Sequence, residues 1–222
     1  MTLFTTEYIH HRTSEELALL WPFKKTVSAK ERLKLELAAQ RLGFRLVTLT
    51  RETTIPETLK SSADAGSPRA SNWTGGLVTA AKPEVISKAV ELQAEVLYYL
   101  LHLCDRHAFK RFGAAKRHVF METLLEESSR LFLTPQLENG GFSLSVFQSS
   151  YNSRQRHYAQ FKRLFPTDGT PPYSGTLCWE FAMGLGLVYT HNANPIKIHL
   201  VALDAIKLLD TIDSAWRDLG DL

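Results

Sequence analysis

A long stretch of the chain, residues 83–112, carries apolar residues in a pattern that predicts a long helix. Pro83 suits the first helical position, because proline has no N–H to leave unpaired and its φ is already helical. From Val96 to Cys104 the run VLYYLLHLC contains only one strongly polar side chain, His102. A helix that is apolar on nearly all sides must be surrounded by other elements. The pattern therefore predicts an all-α fold with residues 83–112 as its central helix.

Helical spacing and helix-end signals predict further helices around this one, six or seven in all. Ser28 and Glu31 form a capping box, and Gly43 is suited to end the helix that the box begins. Gly113 predicts a break after the central helix, and Pro135 predicts the end of the helix that follows. The core face of the helix that starts at the capping box is predicted to carry Leu33, Leu37, Ala38 and Leu42. The remaining helices are predicted over residues 143–165, over residues 175–190 and from Pro195 onward.

The residues that precede the central helix differ in composition from the rest of the chain. Residues 44–50 alternate like a strand, but a single strand has no partner here, so they form an extended connection or continue the helix. Residues 51–76 are rich in Ser, Thr, Pro, Ala and Gly, which predicts a flexible polar loop or linker. Trp73, its only large anchor, either pins the loop to the body or contacts a partner. We therefore expect an N-terminal helical arm (1–50), this loop, and a main helical domain (77–222) that folds cooperatively with the arm.

Composition places the chain among ordinary globular proteins. Hydrophobic residues make up 44% of it and charged residues 22%, and the formal net charge is +3. This mild positive charge permits an acidic partner without requiring one. Cys104 and Cys178 do not belong to a CxxC motif, so no disulfide framework is indicated. With no apolar run of membrane-spanning length and no signal-peptide pattern, the sequence predicts a cytoplasmic protein without membrane contact.

The polar residues of the predicted central helix follow one narrow line. Glu91, Glu95, Tyr98 and His102 are separated by steps of four and three, which place them on the same side of a helix. One interpretation is that this line is the solvated strip of the helix. The alternative is that the line borders a cleft and offers Glu91, Glu95 and His102 to a ligand or a metal ion. The sequence leaves open whether the line faces solvent or a pocket.

Four side chains of types that bind metals lie at helical spacing on two predicted helices. Glu95 and His102 share one face of the central helix, and His118 and Glu122 share one face of the next. If the two helices pack antiparallel, the pairs converge and offer two imidazoles and two carboxylates. The compact Glu-x-x-His spacing of carboxylate-bridged bundles is missing. The sequence therefore predicts no metal or other cofactor and leaves these four residues as the candidate ligands.

Basic residues cluster on the helix predicted over residues 143–165. No acidic residue occurs between positions 139 and 167, and a second basic cluster lies at residues 106–117. Two such clusters are one way to form a surface for phosphates. The alternative is that aspartates of the last helix neutralise one cluster inside the fold. The candidate contacts for nucleic acid or another acidic partner are Arg154, Arg156, Lys162 and Arg163.

Motifs for catalysis are missing from the chain, which has no GxSxG, no P-loop and no GxGxxG after a strand. Cys178 is the candidate nucleophile, but its apolar neighbours favour a buried structural thiol. A helical chain with a long polar loop and separated basic and acidic faces predicts a non-enzymatic binding or regulatory module. It would act through protein–protein contacts, with another protein or with itself. The alternatives are a nucleic-acid-associated protein that uses the basic helix at 154–163, and a metalloprotein or enzyme that uses the Glu/His line.

Overall fold

Helices account for all the regular structure in the residues that the computed structural model describes, which are 27–53, 83–137, 143–165, 174–190 and 195–220. They are, in chain order, α1 (Ala29–Glu52), α2 (Pro83–Leu137), α3 (Leu144–Tyr158), α4 (Leu177–Thr190) and α5 (Pro195–Asp218). The predicted all-α class is confirmed, whereas the total of six or seven helices stays a prediction. Within the described ranges, no helix combines the length and the apolar composition that a membrane span needs.

α1 begins at the predicted capping box and continues past its predicted end. The Ser28 hydroxyl accepts a hydrogen bond from the Glu31 N–H, and the Glu31 carboxylate accepts one from the Ser28 N–H, each at 3.3 Å. The prediction that Gly43 ends the helix was wrong, because residues 44–50 are helical. Gly43 instead lets α1 approach α2, since a Cβ at this position would lie only 3.2 Å from Glu127 Cγ.

α2 is broken into two arms at Gly113, as predicted. Gly113 has φ 69° and ψ 175°, a left-handed backbone conformation that glycine adopts without steric cost. We call residues 83–112 the first arm and residues 114–137 the second arm. The change of direction at Gly113 allows both arms to contribute to one core.

The second arm continues past Pro135, so the prediction that this proline ends the helix was wrong. A proline has no N–H for the carbonyl four residues before it, which here belongs to Leu131. The guanidinium of Arg51, from the last turn of α1, donates to that carbonyl at 2.8 Å. A side chain from another helix therefore replaces the hydrogen bond that Pro135 cannot make.

The first arm contains a long continuous buried segment. Every residue from Ala94 to Cys104 is buried, and α2 contacts each of the other four described helices. The ring of Tyr99 stacks on that of Phe181 in α4, with 4.1 Å between their centroids. The polar residues of this segment are consequently enclosed by neighbouring helices, which determines the surroundings of the predicted site residues.

α3 is shorter than predicted, and the segment after it joins two other parts of the fold. Ser143 caps the helix as predicted, with its hydroxyl accepting a hydrogen bond from a backbone N–H of the first turn. The predicted extension to residue 165 was wrong, because the helix ends at Tyr158. The carbonyls of residues 161–164 accept hydrogen bonds from the Arg106 guanidinium and from the first N–H groups of α4. Four consecutive carbonyls after α3 therefore accept hydrogen bonds from other parts of the fold.

Candidate functional site

The predicted polar line lies mostly beneath α3. Glu91 is exposed, whereas Glu95, Tyr98 and His102 are buried. The side chain of Gln155 in α3 donates to the carbonyl of Tyr98 at 3.1 Å. Over most of its length, the line is therefore neither a solvated strip nor the wall of an open cleft, but the surface on which α3 packs. We call this contact the polar seam, and it comprises Glu95, Tyr98, His102, Arg154 and Gln155.

An ion pair between Glu95 and Arg154 forms one end of the polar seam. The Nε and Nη2 atoms of Arg154 lie 2.7 and 2.6 Å from Glu95 Oε1. Burial raises the pKa of Glu95, and the charge of Arg154 opposes that rise. A Cβ at Gly184 of α4 would lie 3.9 Å from both Arg154 Nη2 and Glu95 Oε2, so α4 closes the pair from a third side. Glu95 Oε2 is buried and accepts no hydrogen bond from the described residues.

A second hydrogen-bonded pair, His102 and Gln155, lies further along the polar seam. His102 Nδ1 is 2.8 Å from Gln155 Oε1. Because the amide nitrogen of Gln155 donates to the Tyr98 carbonyl, its oxygen accepts, and His102 Nδ1 must be the donor. Burial lowers the pKa of His102, which favours the neutral ring. Its Nε2 is then a buried acceptor without a hydrogen bond in the described part of the chain.

The four candidate metal ligands lie on two different surfaces. Glu95 and His102 are buried beneath α3 and are seven residues apart, about 10 Å along the helix axis, too far to bind one ion. His118 and Glu122 are exposed on the second arm, with 3.8 Å between His118 Nε2 and Glu122 Oε2. Among the described residues, no three His, Cys, Asp or Glu side chains form a group that could hold a metal ion.

The predicted basic contacts of α3 and the segment after it do not all face solvent. Arg154 belongs to the polar seam, whereas Arg156, Lys162 and Arg163 are exposed. Arg156 donates to the Asn152 carbonyl within its own helix at 3.3 Å. Three of the four cations that the sequence suggested as contacts for an acidic partner are therefore exposed.

The aspartates of α5 contact other groups than the α3 cations. Asp213 Oδ1 lies 2.9 Å from His107 Nε2, and Asp218 Oδ2 lies 2.7 Å from Arg45 Nη1. No ion pair in the described residues joins α5 to Arg156 or Arg163. The expected neutralisation of the α3 cluster by the last helix is thus not among the contacts described.

The second basic cluster, residues 106–117, mainly stabilises the fold. Arg106 donates to two carbonyls after α3 at 2.8 and 2.7 Å, and Arg111 donates to two carbonyls at the end of α5. Lys116 pairs with a carboxylate of α1 at 2.9 Å. Arg117 makes a bidentate pair with a carboxylate of the first arm at 2.7 and 2.6 Å. Four cations of this cluster are therefore engaged within the molecule.

The candidate nucleophile Cys178 lies in the core. Its thiol is buried, 3.3 Å from the hydroxyl of Tyr99, and burial raises its pKa. A thiol whose pKa is raised carries little of the reactive thiolate at neutral pH. Its surroundings fit the structural role that its apolar neighbours predicted.

An open cleft of about 960 Å³ lies between the end of the first arm and α5. Its wall includes His107, whose ring stacks on that of Trp216 with centroids 5.4 Å apart. The charged groups around it have both signs, and its wall offers no cysteine or serine as a nucleophile. It is lined by His107, Lys110, Arg111, Asp210, Asp213, Trp216, Arg217 and Gly220.

The outward face of α1 carries three large apolar side chains that the sequence assigned differently. Leu33, Leu37 and Phe44 are 57%, 47% and 64% exposed. The prediction that Leu33 and Leu37 belong to the core face was wrong, because Leu35 and Leu42 occupy that face instead. At 100° per residue the two sets lie on nearly opposite sides of the helix. We call Leu33, Leu37 and Phe44 the outer stripe.

Charges beside the outer stripe are distributed unevenly. On one side lie Lys30, Lys34 and Arg41, which are exposed and have no acidic side chain at ion-pair distance in the described residues. On the other side Arg32 and Glu36 pair with each other at 2.8 Å. The outer stripe is therefore bordered by unpaired positive charge on one side only. We call Lys30, Lys34 and Arg41 the basic flank.

The prediction that the loop at 51–76 starts at residue 51 was wrong, because Arg51 and Glu52 belong to α1 and Thr53 caps that helix. The rest of the predicted loop, with Trp73, lies outside the described residues. Comparison of the chain with models of protein families, with curated proteins and with solved structures gives no match. The functional assignment therefore depends on the geometry of the described helices.

Proposed function

We propose that the protein is a non-enzymatic binding module that acts through protein–protein contacts at the outer stripe of α1. The observation that supports this proposal is the exposure of three large apolar side chains on one face of one helix. Single exposed apolar residues are common on protein surfaces and need no explanation. A row of them along a helix whose opposite face already packs in the core is typical of a surface for another protein.

The length of the outer stripe suits a helical contact. From Leu33 to Phe44 it covers twelve residues, which rise about 16 Å along the axis, or three turns of helix. A partner helix of similar length can place its own apolar residues between those of the outer stripe. Contact on this scale is small for a permanent complex and suits a reversible one.

The state of the polar seam also favours binding over catalysis. Its Arg154 and Gln155 bond Glu95 and His102, so α3 occupies the surface that a substrate would need. Two of the side chains that the enzyme and metal alternatives use, Glu95 and His102, are consequently engaged in packing one helix on another.

We also propose two features that the sequence predicted, a central helix and a location. We propose residues 83–112 as the central helix, which the contacts of α2 with the four other described helices support. We also propose a cytoplasmic location, which is consistent with two buried free thiols, Cys104 and Cys178.

Differential capture tests the protein–protein contact. The full chain and its Leu37→Lys/Phe44→Lys variant are immobilised and exposed to the same lysate, and purified candidates are then tested by direct binding. We expect at least one protein to bind the unmodified chain and not the variant, because lysines on the outer stripe remove its apolar contacts. Loss of a dimer in sedimentation equilibrium by the same variant would equally support the proposal, with a second copy as the partner.

The matched control is Leu144→Lys/Val146→Lys, which changes two α3 residues that are 47% and 48% exposed. It adds the same charge to a different surface and should retain the partner that the α1 variant loses. If both double variants retain the same proteins and the same oligomeric state, the outer stripe is not the contact surface and the proposal is wrong.

Nucleic-acid binding remains the second candidate, because Arg156, Lys162 and Arg163 are exposed in a segment without acidic residues. If these cations bind phosphates, affinity for a labelled DNA or RNA will fall steeply as salt increases. We expect weak binding at physiological ionic strength. Strong binding that is lost in an Arg156→Glu/Arg163→Glu variant would favour this second candidate over the first.

A further inference from the structure

We infer that the partner segment at the outer stripe is an acidic amphipathic α-helix. The inference rests on the proposed function and adds the chemistry of the partner to it. Two features of α1 carry it, namely the spacing of the outer stripe and the charge of the basic flank.

The spacing of the outer stripe is that of a helix–helix contact. Leu33 and Leu37 are four residues apart and Phe44 follows seven residues later, with the polar Gln40 at the position between them that completes steps of four, three and four. Apolar side chains at alternating steps of three and four form the contact line between two packed helices, where each side chain enters a space between residues of the facing helix. An extended strand would meet this line at a different repeat, because its side chains alternate every two residues.

The charge of the basic flank selects the sign of the partner. Lys30, Lys34 and Arg41 lie within about 80° of the outer stripe, on the same side of it. Residues that border an apolar helix contact face the corresponding positions of the partner helix, and opposite charges there determine which partners pair. The other border is already neutral, because Arg32 and Glu36 form an ion pair. A partner with acidic residues beside its apolar line therefore complements the surface.

The same charges disfavour a second copy of α1 as the partner. In an antiparallel pair related by a two-fold axis, the basic flank of one copy would face the basic flank of the other. In a parallel pair it would face the Arg32–Glu36 side, whose only carboxylate is already paired. Like charges at such positions destabilise the contact. A separate acidic helix avoids both arrangements.

Two synthetic peptides test the inference by fluorescence anisotropy with the full chain. Each is about three heptads long, with leucine at the two apolar positions, and they differ in having glutamate or lysine at the flanking positions. We expect the glutamate peptide to bind and the lysine peptide not to bind, with affinity that falls as salt increases. The Lys30→Glu/Lys34→Glu/Arg41→Glu variant should bind the glutamate peptide with an affinity lowered roughly ten-fold or more, because it replaces the attractive charges beside the outer stripe by repulsive ones.

A charge-matched control is Arg156→Glu/Lys162→Glu/Arg163→Glu, which makes the same change in net charge on a different surface. It should leave affinity for the glutamate peptide nearly unchanged. Equal loss in both triple variants would show that only net charge matters and would overturn the inference.

Other outcomes separate this inference from the proposed function. If both peptides bind equally and Leu37→Lys/Phe44→Lys abolishes the binding of both, the outer stripe binds helices irrespective of their charge. Only the inference is then overturned. Binding to phosphatidylserine vesicles but to neither peptide would assign the surface to a membrane, and a dimer abolished by Leu37→Lys/Phe44→Lys would assign it to a second copy. A large loss of stability in that variant would mean that the chain covers its own outer stripe, which overturns both proposals.

Discussion

The outer stripe and the polar seam reverse the usual relation between polarity and burial. In the seam, Glu95 and His102 are buried, and side chains of α3 supply their hydrogen bonds. In the stripe, Leu37 and Phe44 are exposed although they are as apolar as the core. The seam is thus already occupied by the molecule's own helix, whereas no described residue covers the stripe. A polar line on a helix therefore indicates a binding site only where no other part of the molecule supplies hydrogen bonds to its side chains.

The largest effect on stability is expected when the same substitution is made at a buried leucine and at an exposed one. Leu97→Asp places a carboxylate at a fully buried position of the first arm, which costs several kcal/mol, comparable to the whole free energy of unfolding. Leu37→Asp places the same group on the outer stripe, where water solvates it. We expect the first variant to be unfolded and the second to melt cooperatively, as measured by circular dichroism. A folded Leu97→Asp protein would contradict the placement of the first arm.

The next effect concerns the ion pair of the polar seam. Arg154→Ala leaves the Glu95 carboxylate buried without its counter-charge, and we expect the free energy of unfolding to fall by about 3 kcal/mol, the lower end for a buried pair because a third of the Arg154 side chain is exposed. Arg156→Ala, an exposed arginine of the same helix, is the control and should change it by less than about 0.5 kcal/mol. Both are measured by denaturant titration.

A double variant sharpens this test. Replacing the pair by apolar residues, Glu95→Leu/Arg154→Met, should recover much of the loss, because the cost in Arg154→Ala arises from an unpaired buried charge. Equal stability of Arg154→Ala and Arg156→Ala would mean that Glu95 is solvated, and the seam would then not be closed.

Stability should depend on pH through His102. Its folded-state pKa is lowered from 6.5 by burial, so below pH 6.5 the unfolded chain binds more protons than the folded one. The free energy of unfolding therefore falls as the pH drops from 6.5 towards the folded-state pKa. His102→Asn preserves an N–H donor towards Gln155 but cannot titrate, so it should reduce this slope. The measurement is denaturant titration at several pH values between about 5 and 7.

The exposed His118 provides the control for this pH dependence. His118→Asn makes the same change at a position whose side chain is 80% exposed. The slope should stay close to that of the unmodified chain. If His102→Asn leaves the slope as steep as before, His102 is not the buried neutral group described for the polar seam.

The smallest effect is expected at the outer stripe itself. Leu37→Lys/Phe44→Lys should change the free energy of unfolding by less than about 0.5 kcal/mol at each position, because both side chains already face solvent. Denaturant titration measures this change. A loss of several kcal/mol would show that the stripe is covered within the chain and would remove the contrast with the seam.

Local signals in the sequence predicted several helix ends correctly but not all of them. The capping box at Ser28 and the break at Gly113 follow from backbone chemistry within a few residues, so they could be predicted. Glycine is also common just after the end of a helix, but Gly43 lies inside α1, where the lack of a Cβ lets the Glu127 side chain approach closely. Pro135 is tolerated because Arg51, 84 positions earlier in the sequence, donates to the carbonyl that the proline leaves free. Contacts between distant helices decide such cases.

The polar line was predictable as a line but its covering was not. The steps of three and four place Glu95 and His102 on one face regardless of the neighbours. Whether that face is covered depends on where α3 packs, and Arg154 and Gln155 show no pattern that identifies their partners. In α1, the sequence shows apolar residues on two opposite faces of the helix, since Leu35 and Leu37 are two residues apart and cannot lie on the same face. That signal distinguishes two faces but does not tell which one is buried.

The ring contacts of Trp216 have a consequence for how the protein folds. Its ring packs against those of Phe112 and Phe120, on either side of Gly113, with centroids 5.8 and 5.1 Å apart. A contact between residues separated by about a hundred positions requires the closure of a long loop. We therefore expect the corner between the two arms to complete its packing late in folding, after contacts between residues that are close in the sequence have formed.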